Sequence, residues 1–378
     1  MQACINLIKS FIGLGMMTQP YFFAQSGYAL ASFIIVLMGI LTYYTCDLAF
    51  KVSDESDEAY IDTLGKVGKS IYQTLVFILQ CGICIAYIIF FTKFFQTVFA
   101  GNEIMSSKIV SAFISCAMIS PFVFVKDMSG LSKTSAISTS LIFFAILSIA
   151  FYDMGKIATT GVHHNIKPFN FENLGSTIGV LVLAFEAIGS VTIVRDSMNH
   201  PQKFDKLFKA VLSLMVTLLV SFAVLNCLTW GAKIHPILIL GLEKYNSSFL
   251  IIQSLFVIAV ILSFPLQYFA GMYYIESSEF YKKKMNEDSK FDLKIRILVI
   301  LGIFGIAFIV PTFTSFINLI GSACAASLQL VFPIISYHNT FGGEISKKRT
   351  CFHGVIVFLA IGASLFGFSH SLIDMIKA

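Results

Sequence analysis

The stretch that decides the fold is "NLIKSFIGLGMMTQPYFF", residues 6 to 23. It is apolar enough to lie in lipid, yet it holds Lys9, two glycines two positions apart, and Pro20. Glycine costs about 1 kcal/mol relative to alanine inside a helix. A single glycine is explained by close packing, because small residues let membrane helices approach one another. Gly13 and Gly15 together, at the midpoint of the segment, predict an unwound turn. Non-helical backbone at that depth is tolerated only where it lines a cavity or is packed in protein.

Composition supplies the setting. Of 378 residues, 57% are hydrophobic, 12% are charged and 39 are phenylalanine. That charged fraction is about half that of a soluble domain. A soluble core would not hide so much apolar surface, so the chain is read as a polytopic membrane protein. The net charge of +5 reflects charged loops and is no argument for nucleic acid. With about 20 apolar residues per crossing, eleven spans are expected: 3–24, 28–50, 71–99, 107–125, 134–152, 174–197, 207–231, 247–275, 293–311, 313–336 and 351–373. Long apolar runs, rather than short alternating ones, predict an all-α integral membrane domain and not a barrel.

Lysine and arginine counts orient the chain. With the N-terminus cytoplasmic the inner loops hold 18 and the outer side 7, which places the C-terminus on the far side. The membrane is expected to be a plasma membrane or a lysosome- or vacuole-type membrane. No cleavable signal peptide is expected, because the first segment is long, broken and lacks a small-residue cleavage site. Asn246-Ser247-Ser248 is a glycosylation sequon on an outer loop.

A second interruption lies in "GVLVLAFEAIGSVTIVRD", residues 179 to 196. Glu186 sits in mid-run with Gly189 close behind, and a carboxylate at that depth costs about 3 kcal/mol. Breaks in spans 1 and 6 point to two inverted repeats of five helices (1–152 and 173–336), with 351–373 as one extra C-terminal helix. Freed N–H groups at a half-helix start carry partial positive charge and attract a carboxylate. The opposing carbonyl ends suit an ammonium or a cation. Together they describe a pocket for a zwitterion. Glu186 also has Lys9 as a possible ion-pair partner, either structural or as a gate.

Other chemistries are excluded or left bare. Cys81 and Cys84 form a C-x-x-C inside the apolar run "FILQCGICIAYIIFF", where packing is expected and metal or redox use is not. No external disulfide is expected. The histidines 163, 164, 200, 235, 338, 353 and 370 fall in loops or near span ends. The pair His163-His164 is read as solvated rather than metal-binding. No G-x-S-x-G nucleophile motif occurs, so the chain is not read as an enzyme and no cofactor is expected. Neither charged rings nor a carbonyl filter suggests a channel. A nutrient sensor with the same site remains open.

These residues resemble the amino acid/auxin permease family, and its proton-assisted amino-acid transporter branch in particular. The likeness rests on Asn6, Leu7, Gly13, Gly15 and Pro20 in span 1, and on "QCGICIAY" (80–87) in span 3. It continues through "FEAIG" (185–189), "PQKF" (201–204), "FPLQYF" (264–269) and "GSACAASLQLVFP" (321–333). The resemblance implies secondary active transport of neutral amino acids by alternating access. It implies that the backbone of Gly13, Leu14, Gly15 and Met16 holds the substrate carboxylate. Phe185, Glu186, Ala187 and Ile188 would line the side-chain pocket and amine site. Tyr87 and Ser263 would face the same cavity, with Ser322 a further candidate. Lys9, Glu186 and Asn6 are the coupling or gating candidates.

The resemblance is incomplete. The branch's histidine late in span 2 is replaced in "GILTYYTCDLAF" (39–50) by Tyr44, with no histidine nearby in sequence. Proton coupling then falls to Glu186. Sodium is the alternative, through Asn6 and Ser263. No other metal site is expected. The chain also opens directly in span 1, without the polar tail that relatives often have.

Overall fold

A computed structural model describes residues 2–56, 59–124, 131–163, 165–198, 201–242, 249–287 and 290–377. The sequon at Asn246, together with His164 and His200, lies outside these. The chain is helical throughout, with no strand among the described residues.

Span 1 is α1 (Gln2–Phe11), a 3-10 turn (Leu14–Met17) and α2 (Gln19–Ser26). Then come α3 (Tyr28–Ser56), α4 (Gly65–Val98), α5 (Lys108–Ile119) and α6 (Leu131–Thr160). The second interrupted segment is α7 (Ile178–Leu183) and α8 (Ile188–Asp196). After it run α9 (Phe204–Trp230), α10 (Leu238–Gly241), α11 (Phe249–Glu276), α12 (Glu279–Glu287) and α13 (Phe291–Ile309). Span 10 is composite: α14 (Phe313–Ile320), two π-helical stretches (Gly321–Ala325 and Ser327–Val331) and α15 (Phe332–Phe341). The chain closes with α16 (Lys347–Lys377).

Eight helical segments among the described residues are long and apolar enough to cross a membrane by themselves. The other three expected crossings have physical reasons to fall short. The first is broken, α5 has 12 residues, and α13 opens with Asp292, Lys294 and Arg296. Lipid-type surface is plain on α16, where Phe358, Leu359, Leu365 and Ile376 are exposed. In water such a face would be covered.

The core is set by α4 and α6, both packed along α11, with α3 against α9 and α15. The interrupted elements α1 and α8 lie against each other in the middle of this frame. Gly27 makes the turn from α2 to α3 with φ +91°, a conformation glycine adopts at no steric cost. Pro168 of the α6–α7 connection covers this turn, its carbonyl accepting from Ala29 and Leu30 N–H at 3.0 and 3.2 Å.

Between α7 and α14 the backbones nearly touch. A Cβ on Gly179 would stand 2.2 Å from the Asn318 carbonyl. Asn318, fully buried, locks this crossing. Its Oδ1 accepts from Gly179 N–H (2.7 Å), and its Nδ2 donates to Gly175 O (2.9 Å) and Ser371 Oγ (2.7 Å). At one end of the bundle Arg296 is buried between Asp292, Glu276 and the Val123 carbonyl, tying α11 and α13 to the end of α5's segment.

Candidate functional site

The two interruptions lie beside each other, with open space at Gly15. The rings of Phe11, at the end of α1, and Phe185, beyond α7, have centroids 6.0 Å apart. In the first break, the N–H groups of Gly13, Leu14 and Gly15 find no partner among the described residues. Neither do the carbonyls of Lys9, Ser10 and Phe11. The first set bears partial positive charge and the second partial negative, a few residues apart. In the second break, the N–H groups of Ile188, Gly189 and Ser190 are likewise bare at the start of α8. An unpaired backbone group away from water is costly, so a polar occupant is what such a gap accommodates.

Room for it exists beside the glycines. A Cβ on Gly13 would stand 3.9 Å from Tyr87 Oη, and one on Gly15 would meet nothing within 4 Å. Leu14 and Met16 are buried in the core, so this turn presents its backbone and not its side chains. Phe185, Ala187, Ile188, Tyr87 and Ser263 are buried as well.

The second break is partly stitched by residues that sequence reading missed. Ala187 N–H donates to Gln329 Oε1 at 3.2 Å, and Gln329 Nε2 donates to Thr45 Oγ1 at 3.1 Å. Gln329 stands in the π-helical part of span 10, so one amide joins α3, span 10 and the span 6 break. No motif flags a glutamine in an apolar run as a backbone cap. Only its polarity at that depth was a signal.

Lys9 is 9% exposed. It donates to Ser138 Oγ (2.8 Å) on α6 and Ser263 Oγ (2.7 Å) on α11. Both hydroxyls also donate to the Ala259 carbonyl, at 2.8 and 2.9 Å. The Lys9–Glu186 ion pair is therefore not formed, because the lysine stem runs toward the α6–α11 crossing. Ser263, offered as a sodium ligand, instead carries an ammonium. Asn6 is half-buried and makes no side-chain hydrogen bond among the described residues.

Glu186 is half-buried, and its carboxylate bonds nothing among the described residues. It lies within electrostatic reach of Cys46, Tyr72, Tyr274 and Cys324, on the side of α3, α4, α11 and span 10. Ser322 does not join the gap. It is wedged against Gly179 and Gly367, where α7, span 10 and α16 meet. The cysteines, Cys81 and Cys84 included, are free, and no metal-holding cluster exists among the described residues.

One sequence inference is corrected here. Tyr44 has no histidine near it in sequence, but the fold brings His353 Nε2 to 2.6 Å from its hydroxyl. His353 stands near the start of α16, close to a span end as expected, and is 1% exposed.

The family model described as "Transmembrane amino acid transporter protein" matches residues 1–376. The vacuolar amino acid transporter 3 of Schizosaccharomyces pombe is 26% identical over 356 residues, covering 89% of this chain and 53% of the relative. An amino acid transporter of Arabidopsis thaliana is 25% identical over 378 residues, covering 91% and 85%. The chain spans about half the length of the fungal vacuolar relatives it matches. Among solved structures, a manganese transporter of Eremococcus coleocola superposes with a TM-score of 0.44 at 13% identity, covering 99% and 94%.

Proposed function

The chain belongs to the transmembrane amino acid transporter family, whose members are transporters and not enzymes, and on that premise we propose that it carries small or neutral amino acids by alternating access. The observation that supports this most is the pair of adjacent breaks with bare N–H groups at Gly13–Gly15 and Ile188–Ser190. The substrate carboxylate binds the first set, beside Tyr87. Its ammonium turns to the free carbonyls at the end of α1 and to Glu186. Its side chain lies among Phe185, Ala187 and Ile188. In this reading the scaffold is eleven spans, five inverted against five plus α16, with the N-terminus cytoplasmic.

The coupling ion is a proton. Sodium needs oxygen ligands, and the hydroxyl offered for it, Ser263, is taken by the Lys9 ammonium at 2.7 Å. A positive charge there repels a second cation. Lys9 ties the first half of span 1 to α6 and α11, so it holds the break against its frame. Glu186 takes and gives up the transported proton.

The test is uptake of labelled neutral amino acids into proteoliposomes, with and without sodium, over a pH series. Saturable uptake driven by a proton gradient in sodium-free buffer is expected. Sodium-dependent, pH-insensitive uptake overturns the coupling assignment. Substrate binding without saturable uptake overturns transport and leaves an amino-acid sensor.

A further inference from the structure

Three polar rings from three helices form a line that the transport cycle above does not use. Tyr44 Oη on α3 lies 2.6 Å from His353 Nε2 on α16, and His353 Nδ1 lies 2.8 Å from His338 Nε2 on α15. His353 is sealed from solvent, while His338 is half-buried and gives the line its opening. The opening is at the end of the bundle that carries Lys347, Lys348 and Arg349.

Charge around the line is one-sided. From α16, Arg349 donates to Tyr337 Oη on α15 at 2.9 Å, and the Tyr337 ring lies 5.8 Å from the His353 ring. From α3, Asp47 and Lys51 pair with each other at 2.6 Å. No carboxylate bonds either imidazole among the described residues.

Counting hydrogens shows what such a line does. A neutral imidazole has one N–H and one acceptor nitrogen; a charged one has two N–H groups. With both rings neutral, each of the two contacts holds one hydrogen and is satisfied. One added proton on His353 still leaves both satisfied, because it donates to Tyr44 Oη and to the free nitrogen of His338. A second proton, on His338, sets N–H against N–H and charge against charge across 2.8 Å. The α15–α16 contact must then part.

α15 is not an isolated strut. It continues directly from the π-helical stretch Ser327–Val331, and wide turns of that kind are local irregularities often found at functional sites. Within that stretch Gln329 accepts from Ala187 N–H at the span 6 break. Packed helix and hydrogen bonds thus run unbroken from His338 to the gap, the sort of contiguous network that carries coupling.

We propose that Tyr44, His353 and His338 form a proton-operated clasp fastening α16 to α3 and α15, and that taking a second proton opens it and slows the cycle through span 10. The effect on uptake rests on the transport reading; the clasp itself does not.

Hydrogen exchange over residues 347–360 of the purified full chain, read by mass spectrometry from pH 7.5 to 3.5 and corrected for intrinsic rates, tests the clasp directly. Protection in the wild type is expected to fall about tenfold or more as the pH drops, because local opening is read in exchange. In His338→Gln, whose amide still bonds His353 but takes no proton, protection is expected to vary by less than about twofold. Equal wild-type protection across the series overturns the clasp, and needs no variant to fold. So does a His338→Gln variant that keeps the wild-type fall. In proteoliposomes, acidifying the lysine-rich side is expected to slow wild-type uptake and leave His338→Gln unslowed; identical slowing in both refutes the link to transport. A wild type that does not transport at all overturns the function above, while exchange still decides the clasp.

Discussion

Replacing Lys9 with methionine separates the two things its ammonium does. The two hydrogen bonds, 2.8 Å to Ser138 and 2.7 Å to Ser263, involve a charged donor. Bonds of that kind contribute about 1.5–3 kcal/mol each, so about 3–6 kcal/mol are lost. Against this stands the cost of keeping an ammonium out of water, several kcal/mol in real proteins. No carboxylate offsets that cost, since Lys9 pairs with none among the described residues. Methionine is unbranched and of similar length, so it fills the space. The serines stay satisfied, because each also donates to Ala259 O and they lie 2.7 Å from each other. The opposing terms nearly cancel, and stability should change by no more than about 2 kcal/mol in either direction. At about 2–4 °C per kcal/mol, the melting midpoint moves by no more than about 8 °C. Function should change far more. With its tie to α6 and α11 gone, span 1 moves without reference to the proton, so the variant exchanges substrate across the bilayer but does not accumulate it against a gradient. Thermal unfolding followed by size-exclusion, with paired counterflow and gradient-driven uptake, reads both. Wild-type accumulation in Lys9→Met refutes the coupling role. A stability loss beyond about 2 kcal/mol, toward the about 3–6 kcal/mol of the two bonds alone, refutes the cancellation.

Gly13→Leu should insert and fold normally, yet lose substrate affinity by at least about tenfold, or about 1.4 kcal/mol, because its side chain fills the space before Tyr87; competition binding checks this. Glu186→Gln loses no partner and should keep its melting midpoint, while uptake loses its pH dependence; an unchanged pH profile removes Glu186 from proton handling. Gly179→Ala places a methyl 2.2 Å from the Asn318 carbonyl and should cost about 1–3 kcal/mol or more. Adding Ser322→Ala should not restore its melting midpoint, because the clash with the backbone remains.

Where the helices break was legible in the sequence, for a physical reason. Glycine pairs and a carboxylate inside apolar runs are expensive, and expense at bilayer depth is visible in one dimension. The breaks at Gly13–Gly15 and around Glu186 lie where that reasoning places them. Helical class and the lipid-facing composition of α16 follow from the same accounting, since twenty consecutive apolar residues leave the backbone no other way to satisfy itself.

Partners across the fold were not legible. Lys9 and Ser263 are 254 positions apart, Tyr44 and His353 309, and Ala187 and Gln329 142. A polar side chain in a membrane helix announces that it needs a partner, but its identity depends on which faces of which helices meet. Lys9 turned to two serines instead of Glu186, and Tyr44 on α3 met a histidine from α16. Desolvation is a property of the residue and its segment, and the chain alone determined where it would be felt. Hydrogen-bond satisfaction is a property of pairs, and only the packed bundle decided those.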